Sequence, residues 1–307
     1  MGEAAPVAVM GGRGARGRGA RRALLLAVLA AAPFDASRAQ STPVRAIRCG
    51  ATGAVASAPT LTWRGSAMRW AEWPVQLGEA KVRNRLIVVL LDPTRITISL
   101  DIARRGDALA PWTIDLAPTD VALALNAGQF TDEGPWGWVR HNGRDQQAPG
   151  AGSLAGALVV DTLGRVAILP ASQLDAARQD SRWQEAVQSY PQLLADGHPV
   201  PELCSGQALD LTHRDARMVV GVRADGKLLI ILSRYAGAGS GVARAAERVP
   251  IGPTTPEMAE IARRLGAVDA LMLDGGLSAQ LLLRDAGVAR RWPGLRAVPL
   301  ALIGRVR

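Results

Sequence analysis

Short apolar runs broken by turn residues recur along this chain, and they limit it to a strand-rich fold. Leu86 to Leu91 is unbroken and rich in branched side chains, while Arg95 to Leu100 alternates polar with apolar. With Asp92-Pro93 between them, the segment predicts a strand, a turn and a half-buried strand. Val121 to Leu125 is a further strand, ending at Asn126-Ala127-Gly128. Val159 to Val166 and Val219 to Leu232 read as hairpins, the second turning at Ala224-Asp225-Gly226-Lys227, because Asp-Gly between apolar runs supplies the backbone a tight turn needs.

Two stretches read as helices. Ser172 to Ser189 is polar, with Leu174, Trp183 and Val187 on one face. The other opens at Thr254-Thr255-Pro256-Glu257, a capping-box pattern with proline near the first turn, and stops at Gly266. Its stripe of Met258, Ile261, Ala262 and Leu265 leads into Ala270-Leu271-Met272-Leu273, a buried strand ending at Asp274. Many strands mixed irregularly with few helices predict an α+β fold: a single domain of mixed, mostly antiparallel β-sheet with a few flanking helices.

The first residues differ from the rest. Five arginines from Arg13 to Arg22 precede the apolar run Ala23 to Phe34 and the small residues around Ser37-Arg38-Ala39. This is the order of a secretory signal, a reading preferred over twin-arginine export at Arg21-Arg22. The expected organisation is a signal peptide over 1–39, a flexible lead-in over 40–62 and one domain over 63–307. The expected product is exported, periplasmic or extracellular, with no stable membrane span after signal removal, since no later run approaches the twenty apolar residues a spanning helix needs. Removing the signal's six arginines and two acids lowers the net charge from +9 to +5. That excess does not point to nucleic acid, and it favours an anionic partner. Cys49 and Cys204 lie in the exported portion, where a disulfide is chemically allowed, but their spacing leaves the pairing open.

Several familiar motifs are excluded. Gly12-Arg13-Gly14-Ala15-Arg16-Gly17 fits a dinucleotide fingerprint but follows no strand. There is no G-x-S-x-G elbow and no P-loop lysine. His141, His198 and His213 lack zinc-type spacing and read as surface or loop residues, so neither a metal nor a cofactor is expected.

The chemistry concentrates at strand ends. Asp274 follows a buried strand and is flanked by Gly275 and Gly276, which let a ligand approach the backbone, with Ser278 just beyond. Read alone, the same residues also make an ordinary turn. Asn126 with Gly128 repeats the arrangement, and Arg217 puts a guanidinium suited to phosphate at the mouth of Met218 to Val222. Trp136 and Trp138 alternate on a glycine-punctuated loop, available either to a sugar face or to the core. Asp132 and Glu133 are candidates for a second carboxylate.

In their order, these segments resemble the phosphodiester glycosidase family. The likeness runs through Asn126 to Phe130, Pro135-Trp136-Gly137, Tyr190 to Gly197, Arg217 to Gly221, the Asp274-to-Ser278 run and Arg296-Ala297-Val298-Pro299. Met218, Gln129 and Leu277 depart from the family's usual residues. The resemblance implies hydrolysis between a sugar's anomeric carbon and a phosphodiester oxygen. Asp274 would be the base or the stabiliser of an oxocarbenium-like centre, and Arg217 would hold phosphate. Asn126 and Ser278 would bind sugar or phosphate oxygens, with Gly128, Gly275, Gly276, Trp136 and Asp132 around the substrate. The expected partner is an anionic sugar phosphodiester or envelope glycan. A non-catalytic glycan-binding module and a phosphodiesterase breaking the P–O bond are the competing readings, and the sequence leaves oligomeric state unknown.

Overall fold

The computed structural model describes residues 41–47, 58–66, 68–105, 108–205, 209–237 and 249–307. The expected signal peptide and Cys49 lie outside these residues. Gln40–Arg307 forms one unit, built on three sheets of eight, five and five strands plus two two-stranded ribbons. Among the described residues, strand pairs are antiparallel except for the parallel pairing of Thr42–Val44 with Met68–Leu77. The α+β expectation, with mostly antiparallel sheet and few helices, holds.

The eight-stranded sheet runs in the order Thr42–Val44, Met68–Leu77, Val82–Leu91, Leu228–Tyr235, Met218–Arg223, Ala267–Leu273, Gln192–Ala195, His198–Pro199. Its central strands are apolar throughout because both faces are covered. Successive side chains point to opposite sides. Thus Ile87, Val89, Val220 and Leu271 enter a core shared with the other two sheets. Leu86, Val88, Val219 and Met272 face a second core closed by the Thr255–Arg264 helix. That two-sided burial accounts for the continuous run read at Leu86 to Leu91.

Ile96–Ile102 follows Val82–Leu91 after a short turn, yet it joins a different sheet, pairing with Leu300–Val306 beside Leu123–Asn126. The turn at Asp92 is closed by its carboxylate, which accepts from the Thr94 amide at 2.9 Å and the Thr94 hydroxyl at 2.6 Å. Both expected hairpins form, Gly156–Asp161 with Val166–Pro170 and Met218–Arg223 with Leu228–Tyr235.

The Thr255–Arg264 helix has the capping box its sequence announces. The Glu257 amide donates to the Thr254 hydroxyl at 3.4 Å, and the Thr254 amide donates to the Glu257 carboxylate at 2.9 Å. Arg214 then grips Glu257 with two nitrogens at 2.8 and 2.9 Å, fastening the 209–217 segment to the helix start.

One expectation is corrected. The helix expected over Ser172 to Ser189 is a single helical stretch at Leu174–Gln179, and Trp183–Ser189 is instead the central strand of the second sheet. Its polar residues, which suggested a solvated helix face, are buried hydrogen-bonding hubs. Glu185 accepts from the Leu100 amide at 3.1 Å and contacts His141 at 2.9 Å, while Gln188 accepts from the amides of Trp138 and Gly150. Within the expected flexible lead-in, Thr42–Val44 forms an edge strand, tied down where Trp73 Nε1 donates to the Thr42 hydroxyl at 3.0 Å. Among the described residues no helix is long and apolar enough to cross a membrane. Cys204 is disulfide-bonded.

At the edge of the second sheet, Asp145 accepts from Arg140 Nε at 2.6 Å, Arg178 Nε at 2.6 Å and Trp138 Nε1 at 2.9 Å. Burial pushes its pKa up, but these donors outweigh it and hold the carboxyl at about 2, against an ordinary 3.8. A depressed carboxyl stabilises the fold above its unfolded pKa and loses that contribution as pH falls through the folded one. Asp145 should therefore supply about 2 kcal/mol that disappears from about pH 4 to about pH 2. Urea unfolding of Asp145→Asn should show a flatter pH dependence across that window than wild type, and equal slopes would refute the assignment.

Candidate active site

The register of two strands builds the site. Met218–Arg223 pairs antiparallel with Ala267–Leu273, and Met218 lies opposite Leu273. Arg217, just before one strand, and Asp274, just after the other, therefore emerge at the same end of the sheet. Both line a cavity of about 430 Å³, with Asp215, His213, Ser278 and Arg296 also in its wall. That volume lies within the range of small-molecule sites.

The glycines of the turn are there for close approach. The Gly276 amide donates to the Ala216 carbonyl at 2.7 Å, and a Cβ on Gly275 would lie 2.5 Å from that same oxygen. Gly276 has φ +56°, and a Cβ there would meet the Asp215 carboxylate at 2.9 Å. A side chain at either position would push the turn off the neighbouring strand. The turn is also held from the third sheet. Asn126, fully buried, donates through Nδ2 to the Asp274 carbonyl at 2.7 Å and accepts through Oδ1 from the Gln280 amide at 2.9 Å.

Electrostatics set the cavity's character. Burial is the largest influence on Asp274 and raises its pKa, helped by the Asp215 charge. The Ser278 hydroxyl, the Gly275 amide and Arg296 act the other way without prevailing. Arg217 is 9% exposed, and its guanidinium donates to the carbonyls of Pro253 at 3.2 Å and His213 at 2.9 Å. Burial lowers its pKa, opposed by the charge of Asp215. The cavity thus places a carboxyl whose pKa burial raises, a hydroxyl and two guanidinium groups around one space. These groups suit an anion whose charge grows during reaction.

The expected site residues do not all meet there. Asp274, Gly275, Gly276, Ser278 and Arg217 line the cavity. Asn126 sits behind it, with both amide ends engaged by backbone. Gly128 serves a close approach elsewhere, since a Cβ there would lie 2.5 Å from the Gln188 carbonyl. Trp136 packs edge-on against Tyr190 at 5.2 Å, and Tyr190 is the one that lines the cavity. Trp138 is fully buried. Asp132 and Glu133 line a neighbouring hollow of about 260 Å³, and Asp132 lies 3.7 Å from Arg296, which borders both spaces.

Met218 points into the core and leaves the cavity wall untouched, whereas Leu277 stands half-exposed at its edge. Residues the sequence reading missed are Asp215 and His213. Asp215 lies two positions before Arg217, at the same strand mouth, and that position was the available signal. Among the described residues no group of three or more His, Cys, Asp or Glu is placed to hold a metal ion.

No curated protein matches the chain. Among solved structures, the catalytic domain of zebrafish N-acetylglucosamine-1-phosphodiester alpha-N-acetylglucosaminidase, auto-inhibited by its pro-peptide, is similar in fold. It has a TM-score of 0.62 at 16% identity, over 82% of this chain and 87% of that one. A hypothetical protein from Synechocystis gives 0.55 at 16% identity, over 86% and 68%. The family model for phosphodiester glycosidases matches residues 119–303, which include Asn126, Arg217 and the Asp274 turn. The chain belongs to the phosphodiester glycosidase family.

Proposed function

We propose that this chain is an exported hydrolase that cleaves the bond between a sugar's anomeric carbon and a phosphodiester oxygen in an envelope glycan or exopolysaccharide. The observation that carries the reading is the shared cavity of Asp274, Arg217 and Ser278 at the end of one strand pair. The burial that raises the Asp274 pKa favours its protonated form. This suits it to donate a hydrogen bond or proton to the departing phosphate oxygen, a role beside the base or oxocarbenium-stabilising roles expected from sequence. Arg217 lies where it offsets the charge that grows on phosphate as the C–O bond lengthens. Ser278 links the Asp274 carboxyl to the turn. The core position of Met218 removes one ground for a binding-only role.

On a sugar 1-phosphodiester, Asp274→Asn should lower kcat by at least about 100-fold. Arg217→Lys should lower kcat/KM by about 100-fold, since ammonium lacks the fork that holds Pro253, His213 and a phosphate together. Because Asp274 acts protonated, turnover should fall as pH rises through its raised pKa, and Asp274→Asn should lack that limb. In ¹⁸O-labelled water the label should enter the sugar; label in phosphate would mean P–O cleavage and end this reading.

Asn126 is assigned a positioning role. Asn126→Ala should cost about 1–3 kcal/mol of stability, because it leaves the part-buried Asp274 carbonyl and the buried Gln280 amide unpaired. It should also reduce kcat more than KM. Unchanged melting and unchanged kcat together would remove Asn126 from the site's support.

A further inference from the structure

We propose that Asp215 is the second carboxylate of this site, the general base that takes a proton from the attacking water, with Asp274 acting as its acid partner. The inference rests on the hydrolase reading above and adds a residue to it. Asp215 lines the same cavity as Asp274, Ser278 and Arg217. One carboxylate oxygen is fixed by the Ala216 amide at 2.8 Å. The other lies 2.9 Å from the point a Gly276 Cβ would occupy, so it reaches the catalytic turn with no side chain between. His213 Nε2 stands 3.7 Å from that oxygen and is 60% exposed, offering a proton route towards solvent.

The two carboxyls differ in surroundings, which is how a pair divides acid from base work. Asp274 is the more deeply enclosed, and the charge of Asp215 adds to the tendency of Asp274 to keep its proton. Asp215 keeps 23% of its side chain exposed and feels Arg217. The other charged groups facing this pair are Asp210 and Arg296.

Water's oxygen forms a bond to the anomeric carbon while Asp215 takes one of its protons. The bond from that carbon to the phosphate oxygen breaks, and its electron pair stays on phosphate. Asp274 gives its proton to that oxygen, and exchange with solvent restores both carboxyls.

The test compares wild type, Asp215→Asn, Asp215→Ala and Asp274→Asn on one sugar 1-phosphodiester across pH. The base must be ionised and the acid protonated, so wild-type activity should fall at low pH and fall again as pH rises through the raised Asp274 pKa. Asp215→Asn keeps an oxygen for the Ala216 amide. It should melt like wild type, lose at least about 100-fold in kcat with KM within about threefold, and lack the acid limb. Azide, which needs no base, should restore turnover to Asp215→Ala and give a glycosyl azide of configuration opposite to the substrate. The proposal is overturned if Asp215→Asn keeps kcat within about threefold, or if kcat falls while the acid limb persists and azide yields no product. Inactive Asp274→Asn alongside such a result leaves the hydrolase reading standing; an active one removes that reading as well.

Discussion

The pairing of Met218–Arg223 with Ala267–Leu273 is the constraint on which the site depends. Antiparallel register brings the start of one strand to the end of its partner, so Arg217 and Asp274 come to line one cavity although they lie 57 positions apart in sequence. A slip of one residue would turn Val219 and Met272 into the wrong core and carry Arg217 to the other face. Both faces of this sheet are buried, so such a slip is opposed by the packing of every side chain on the two strands. The geometry of the cavity therefore depends on the hydrophobic core as well as on the polar contacts in the cavity itself.

Polar groups then lock what the core has placed. Asn126 spans the gap between the third sheet and the Asp274 turn, and Arg214 ties the strand mouth to the capped helix through Glu257. Both contacts are largely shielded from water, where leaving either partner unpaired costs more than the bond gains. This gives the site its rigidity and explains why residues outside the cavity matter to it. Glu185 and Gln188 do the same for the second sheet, whose Trp183–Ser189 strand supports the loop through Gly128.

The same distinction marks what was legible in the sequence. Local signals were sound: the Thr254 capping box, the Asp-Gly hairpin and the apolar strands all form. Trp183–Ser189 misled because its glutamate and glutamines looked like a solvent face, and only the tertiary partners of Glu185 and Gln188 make them interior. At the site, strand-end logic found Asp274 and Arg217, since a residue beside a buried run must emerge at the sheet's edge. It did not separate Asn126, which faces inward to backbone, from residues that face the cavity. Nor did it find Asp215, whose neighbourhood depends on the missing side chain at Gly276. Spacing along the chain does not encode which side of a turn a carboxylate occupies.

The charge balance of the cavity carries a consequence for the proposed reaction. Its wall holds Asp210, Asp215 and Asp274 against Arg217 and Arg296. A phosphodiester monoanion entering this space adds a negative charge near Asp274, and like charges in a poorly solvated site oppose ionisation of a carboxyl. In the proposed reaction a bound phosphodiester would raise the Asp274 pKa further, while Arg217, already donating to two carbonyls and beside the Asp215 charge, would take the substrate anion as a further partner. Once the C–O bond breaks, the proton given by Asp274 holds the product phosphomonoester at the single charge the diester carried, and the negative charge left on Asp274 is removed by a proton from solvent. In the proposed step Asp274 supplies that proton beside a second carboxylate, and the proton keeps negative charge from gathering on the departing phosphate while Arg217 holds it.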